Sequence, residues 1–135
     1  MLVRSEGHVM IGLLRSMRVF VCTKPADMRR SFDGLCGMAE KLMKQDPLTG
    51  HLFVFRNRNR DRLKILYWDR DGLAIWYKRL EKGTFQLPTD LNNKREEAAP
   101  LSAEISADDL SLLLGGIDLR SIERRKRYQR PKQPR

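Results

Sequence analysis

Residues 51–79 constrain the fold of this chain more than any other stretch. They comprise three apolar runs, residues 52–55 (LFVF), 63–68 (LKILYW) and 73–77 (LAIWY), separated by two short polar turns. β-branched and aromatic side chains suit a pleated, half-buried surface, and runs of this length read as strands. Asp71-Gly72 lies between the second and third runs and tolerates the positive φ that a tight hairpin needs. Consecutive strands tend to pair with their neighbours, so the expectation is a three-stranded antiparallel meander.

The charges of this stretch are patterned. Arg56, Arg58, Arg60, Arg62 and Lys64 occupy every second position. In an extended chain alternate side chains share a face, so the five are expected to line one side of a basic ribbon. Lys78 and Arg79 on the next run would add to it. Seven of the ten aromatic residues also fall here or just after: Phe53, Phe55, Tyr67, Trp68, Trp76, Tyr77 and Phe85. Cations interleaved with aromatics can meet phosphates and stack on bases. The competing reading is a strand core of aromatics and a solvated basic turn, with Arg62 and Lys64 paired to Asp61, Asp69 or Glu81.

The flanks extend an α+β pattern. Residues 17–22 (MRVFVC) alternate and read as a strand, broken by Pro25. Asp27 is expected to cap a helix whose apolar face comprises Phe32, Leu35, Cys36, Ala39, Leu42 and Met43. Gly34 and Gly37 would let that helix sit close on the sheet, and Pro47 would end it. A further strand is expected at residues 84–87 and a linker at 88–100. Ser106 and Asp109 resemble a capping box for a short helix with Leu110, Leu113 and Leu114 inward, stopped by Gly115-Gly116. The fold class expected is α+β, a small antiparallel sheet of four to five strands. One main helix packs on one face, with a short C-terminal helix beyond.

At 135 residues the chain has room for one modest core. Three regions are expected: an N-terminal arm (1–16), a single α+β domain (17–119) and a basic tail (120–135), whose run of like charge predicts disorder. Residues 1–16 read as a loose arm or as a first turn packing through Ile11, Leu13 and Leu14, and Met10 is an alternative start. Of the net charge of +10, residues 120–135 carry +7, leaving +3 for the remainder. Arg124, Arg125, Lys126 and Arg127, with Arg130 and Lys132, form this arm. Nucleic acid is the first partner such a charge fits, and an anionic membrane the second. Apolar stretches are too short to cross a bilayer, and charges interrupt the first seventeen residues, so a cytoplasmic protein without membrane contact is expected. Cys22 and Cys36 are expected to be reduced, and no Cys/His spacing suggests zinc. No phosphate-binding glycine loop is present, and no cofactor is expected. Asp27, Asp33, Asp69 and Asp71 are read as cap and turn residues, not as carboxylates that jointly hold two metal ions. Catalysis is therefore not expected.

The blocks T-K-P-A-D-M-R-R-S-F-D-G-L (23–35), H-L-F-V-F-R (51–56), D-R-L-K-I-L-Y-W-D-R-D-G-L (61–73) and W-Y-K-R-L-E-K-G-T-F (76–85) closely resemble one family. It is the small accessory protein, of the second-reading-frame or TnpB type, found in IS-sixty-six-type bacterial insertion sequences. The resemblance extends more weakly through residues 110–118 (LSLLLGGID). It implies a non-catalytic part in DNA transposition beside a larger transposase and another accessory protein. Two functional expectations follow. One is DNA binding through the basic ribbon and tail. The other is a module that docks on the transposase without touching DNA.

Overall fold

The computed structural model describes residues 17–91, 100–115, 117–118 and 123–124. Five strands form one mixed sheet: β1 (Val19–Cys22), β2 (Leu52–Arg56), β3 (Arg62–Asp69), β4 (Gly72–Arg79) and β5 (Ser102–Ile105), in the order β4-β3-β2-β1-β5. The expected meander is present as β2-β3-β4, antiparallel throughout. The α+β class holds. One pairing departs from the all-antiparallel expectation, because β1 runs parallel to β2, Val19 opposite Leu52 and Val21 opposite Val54. A parallel neighbour requires a crossover, and helix α1 (Phe32–Lys41) supplies it.

The β3–β4 hairpin closes in two residues, Asp69 facing Gly72. Arg70, at φ 57°, takes the left-handed conformation that the sequence assigned to Asp71-Gly72, and the Asp71 N–H donates to the Asp69 carbonyl. β5 was not foreseen. Its alternating SAEI run joins the sheet antiparallel to β1, and the Arg18 guanidinium bridges to Glu104 at 2.7 and 2.9 Å. The strand expected at residues 84–87 does not form. That segment packs against one face of the sheet instead, burying Phe85 and Leu87.

Each face of the sheet has its own half-core. On one side α1 lays Leu35, Met38 and Ala39, with Met43 beyond its end, onto Phe20, Cys22, Phe53, Phe55 and Leu66. On the other, Val19, Val21, Leu52, Val54, Leu63 and Ile65 meet Phe85, Leu87 and helix α2 (Ala107–Gly115) through Leu110 and Leu113. Full burial of a Leu or Phe side chain contributes about 1.5–3 kcal/mol, so both layers are needed to hold so small a sheet. Phe20 and Phe53 stack across the parallel pair, 5.8 Å between ring centres.

Three local expectations change. Asp27 does not cap α1, which begins at Phe32 after Ser31. Its carboxylate accepts from the Arg29 N–H at 2.9 Å and folds an Asx turn before the helix. Gly34 does not ease the helix onto the sheet: a Cβ there would meet Arg30, at 3.0 Å, and at Gly37 it would meet nothing within 4 Å. The helix stops at Lys41, before Pro47, where Lys44 at φ 58° turns the chain away. At the second helix the expectation holds, and Ser106 Oγ accepts from the Asp109 N–H at 3.0 Å. Beyond α2, Ile117–Asp118 (β6) pairs with Glu123–Arg124 (β7). Cys22 is buried and Cys36 half-buried, both as free thiols.

Candidate nucleic-acid interface

The alternating cations do not share one face. Between β2 and β3 the chain leaves the extended state in a turn over residues 57–61, so the period of two is lost. Asn57 organises that turn. Its carbonyl accepts from the Arg60 N–H at 3.1 Å, its side-chain oxygen accepts from the Arg62 N–H at 3.0 Å, and its amide donates to Asp61 at 2.8 Å. Arg60 sits at φ 64°, and its carbonyl takes the Phe85 N–H at 2.7 Å.

Arg56 emerges on the α2 side, opposite Leu63. Its guanidinium grips Asp90 at 2.7 and 2.9 Å and donates to the Phe85 carbonyl at 2.9 Å. The two side chains are only 11% and 7% exposed, so this is a structural clamp. Burial pushes the Asp90 carboxyl up. Hydrogen bonds from Arg56 and the Leu87 N–H outweigh that and leave it below the usual carboxylate range.

Lys64 lies on the opposite, α1, side and is 8% exposed. Its ammonium donates to the Met28 and Arg30 carbonyls at 2.9 and 2.8 Å and sits 4.7 Å from the centre of the Tyr77 ring. It therefore fastens the loop before α1 to the sheet, and it is not a surface cation. Arg62 faces Arg79 directly across the β3–β4 ladder, and Arg79 reaches Glu81 at 3.0 Å. Lys78 is exposed on the other side of β4, opposite Leu63. Arg124 belongs to β7, while Arg125, Lys126, Arg127, Arg130 and Lys132 lie outside the described residues.

The aromatics sort largely into the core: Phe53, Phe55 and Phe85 are fully buried, and Tyr67, Trp68 and Trp76 half-buried. Tyr77 is the exposed one of the set, at 48%. The acidic residues proposed for turns do not converge on a metal. Among the described residues no group of three His, Cys, Asp or Glu is placed to hold one.

Sequence reasoning missed a cleft of about 460 Å³ at the carboxyl ends of β1 and β2. Because these strands run parallel, their outgoing loops leave from the same end of the sheet. One loop brings Cys22, Thr23, Lys24 and Pro25, and the other brings Arg56, Asn57, Arg58 and Arg60. A hydrogen bond from the Ala26 N–H to the Arg56 carbonyl, 2.9 Å, ties the loops together. Lys24 carries no signal in the linear sequence. It becomes a neighbour of the arginine turn only once the parallel pairing is known.

Arg58, Arg60, Arg62 and Arg79 are thus gathered at one end of a mixed five-stranded sheet backed by two helices, while Arg56 and Lys64 serve the fold. A family model described as IS66 Orf2 like protein matches residues 17–124, which spans the helices and strands of the described residues. The chain belongs to that insertion-sequence family. Two relatives come from Sinorhizobium fredii (strain NBRC 101917 / NGR234). The uncharacterized protein y4jC is 35% identical over 116 residues, covering 86% of this chain and 92% of the relative. The uncharacterized protein y4hO is 37% identical over 106 residues, covering 78% and 85%. No solved structure matches the chain. Among the described residues no helix is long and apolar enough to cross a membrane.

Proposed function

We propose that this insertion-sequence protein assists transposition by contacting DNA phosphates, without bond-making of its own. The carrying observation is the direct pairing of Arg62 with Arg79 across the ladder. Like charges opposite one another destabilise a sheet; the exposed, solvent-screened Arg79–Glu81 pair offsets this only in part, and a bound polyanion would relieve the rest. Arg58 and Arg60 on the adjoining turn extend the positive surface, Lys78 adds a cation on the opposite face of β4, and the basic tail adds sequence-independent affinity. Arg56 and Lys64 leave the list of contacts, since both are committed to partners inside the fold. Phosphate contacts position a protein without reading bases, so little sequence preference is expected from this chain alone.

The test is binding of the purified protein to duplexes carrying element ends or random sequence, across a salt series. Affinity that falls steeply with salt supports the reading. Affinity absent at low salt, or indifferent to salt, refutes it.

Tyr77 favours a second reading, docking on the transposase. Its half-exposed ring lies on β4, the outer strand of the described sheet. Capture of the transposase that survives nuclease treatment would support docking, and capture lost on treatment would support bridging by DNA.

A further inference from the structure

We propose that the cleft at the carboxyl ends of β1 and β2 is a binding site for a phosphate monoester, held by Lys24, Arg58 and Arg60. The expected source of that group is the phosphorylated end of a DNA strand, and for this source alone the proposal rests on the DNA-contact reading.

The argument is by elimination among the lining residues. Four of the eight are cationic and none is acidic. Arg56 is neutralised by Asp90. Asn57 has spent its amide on Asp61 and its oxygen on the Arg62 N–H. The Thr23 hydroxyl donates to the Pro100 carbonyl at 2.7 Å. Burial pushes the Cys22 thiol up, against the pull of Lys24, so it stays a neutral thiol and adds no negative charge. Lys24, Arg58 and Arg60 remain. Arg60 also lies 3.9 Å from Asp90, but that carboxylate already receives both arms of Arg56.

Three cations around one cleft favour an anion of matching charge. A phosphate monoester carries about −1.5 to −2 at neutral pH, against −1 for an internal phosphodiester, so the monoester fits better. Guanidinium groups also offer it paired, charge-assisted hydrogen bonds. The cleft falls within the range of about 300–1,000 Å³ usual for small-ligand sites, so a phosphate has room for its attached sugar. Its walls are braced, the first loop by the Thr23 N–H on the Leu101 carbonyl at 3.0 Å and the second by Phe85 on Arg60.

The test uses the full chain and short single-stranded oligonucleotides phosphorylated at the 5′ end, at the 3′ end, or at neither. A free mononucleotide and inorganic phosphate serve as competitors, and backbone amide shifts locate binding. A phosphorylated end should bind about ten-fold tighter than the hydroxyl form, the scale of hydrogen bonds to a charged group. Lys24→Ala, Arg58→Ala and Arg60→Gly should erase that preference. Glycine at residue 60 keeps the positive-φ turn while removing the cation. Arg79→Ala should weaken both forms alike.

Mononucleotide or phosphate shifts at the cleft without any end preference would support the site and transfer its source to a free phosphorylated compound. Equal oligonucleotide binding with no shift at the cleft by either competitor would overturn the proposal while leaving general DNA contact standing. Shifts at the cleft with no oligonucleotide bound at low salt would support the site and remove the DNA reading.

Discussion

Two ion pairs in this molecule look alike in a list of residues and differ in what they do. Arg18–Glu104 joins β1 to β5 with side chains 60% and 44% exposed, and solvent-screened pairs of this kind contribute at most about 1 kcal/mol. Arg56–Asp90 has the same bidentate geometry in a nearly dry site. Removing one partner there strands a buried charge, so Asp90→Ala should lower unfolding free energy by about 3 kcal/mol in urea titration, and Glu104→Ala by far less. Replacing both Arg56 and Asp90 with Met and Leu should cost less than Asp90→Ala alone.

The same carboxylate sets a pH dependence. Its folded pKa is depressed, so its contribution is present above the unfolded value of about 4 and is lost as pH falls through the lower folded value. Asp90→Asn should therefore flatten the acid limb of the stability curve below about pH 4. Asp27, held at about 2 by Arg29, titrates in the same window from an exposed position, and Asp27→Asn is the matched control.

At this scale the alternation of cations misled for a definite reason. A period of two sorts side chains only while the backbone stays extended, and Asn57 ends that at the first residue after β2. Arg56 and Lys64, eight positions apart, consequently serve opposite faces.

Among the elements, those built from local pattern were legible. The three runs of the meander became β2, β3 and β4 within a residue or two, because alternation, aromatic content and a short turn all agree there. The short helix was equally plain, since Ser106 and the leucine spacing announce it. Ser106→Ala should cost about 1 kcal/mol and loosen α2, read as faster amide exchange at Leu110 and Leu113.

Elements defined by distant pairing were not legible. β5 is four residues long and holds its place because β1 offers an open edge more than eighty residues earlier. The parallel register of β1 on β2 is likewise invisible in any window of sequence, and the cleft follows from it. Residues 84–87 show the converse, a strand-like composition used to cover a face of the sheet.

For the whole molecule, family and fold class could be reached from sequence blocks, while the surface that does the work depends on which cations are already spent. Nonspecific DNA affinity should divide between sheet and tail. A variant ending at residue 119 should bind more weakly and show a shallower salt slope, by about 0.9 log units per lost phosphate contact on duplex DNA, while unfolding at nearly the same urea concentration. A truncated protein with the full salt slope would show that the sheet end carries the contacts alone.

The seat of β5 has a consequence for synthesis on the ribosome. Until residues 102–105 emerge, β1 has β2 on one side and an open backbone edge on the other, flanked by the apolar side chains of Val19, Phe20 and Val21. An open edge of that kind invites pairing with another nascent copy. A product terminated at residue 100, which lacks both β5 and the Leu110 and Leu113 cover of α2, should therefore sediment in aggregates where one terminated at 119 stays dispersed, so that the edge and the face of the sheet are closed together by the last segments to emerge.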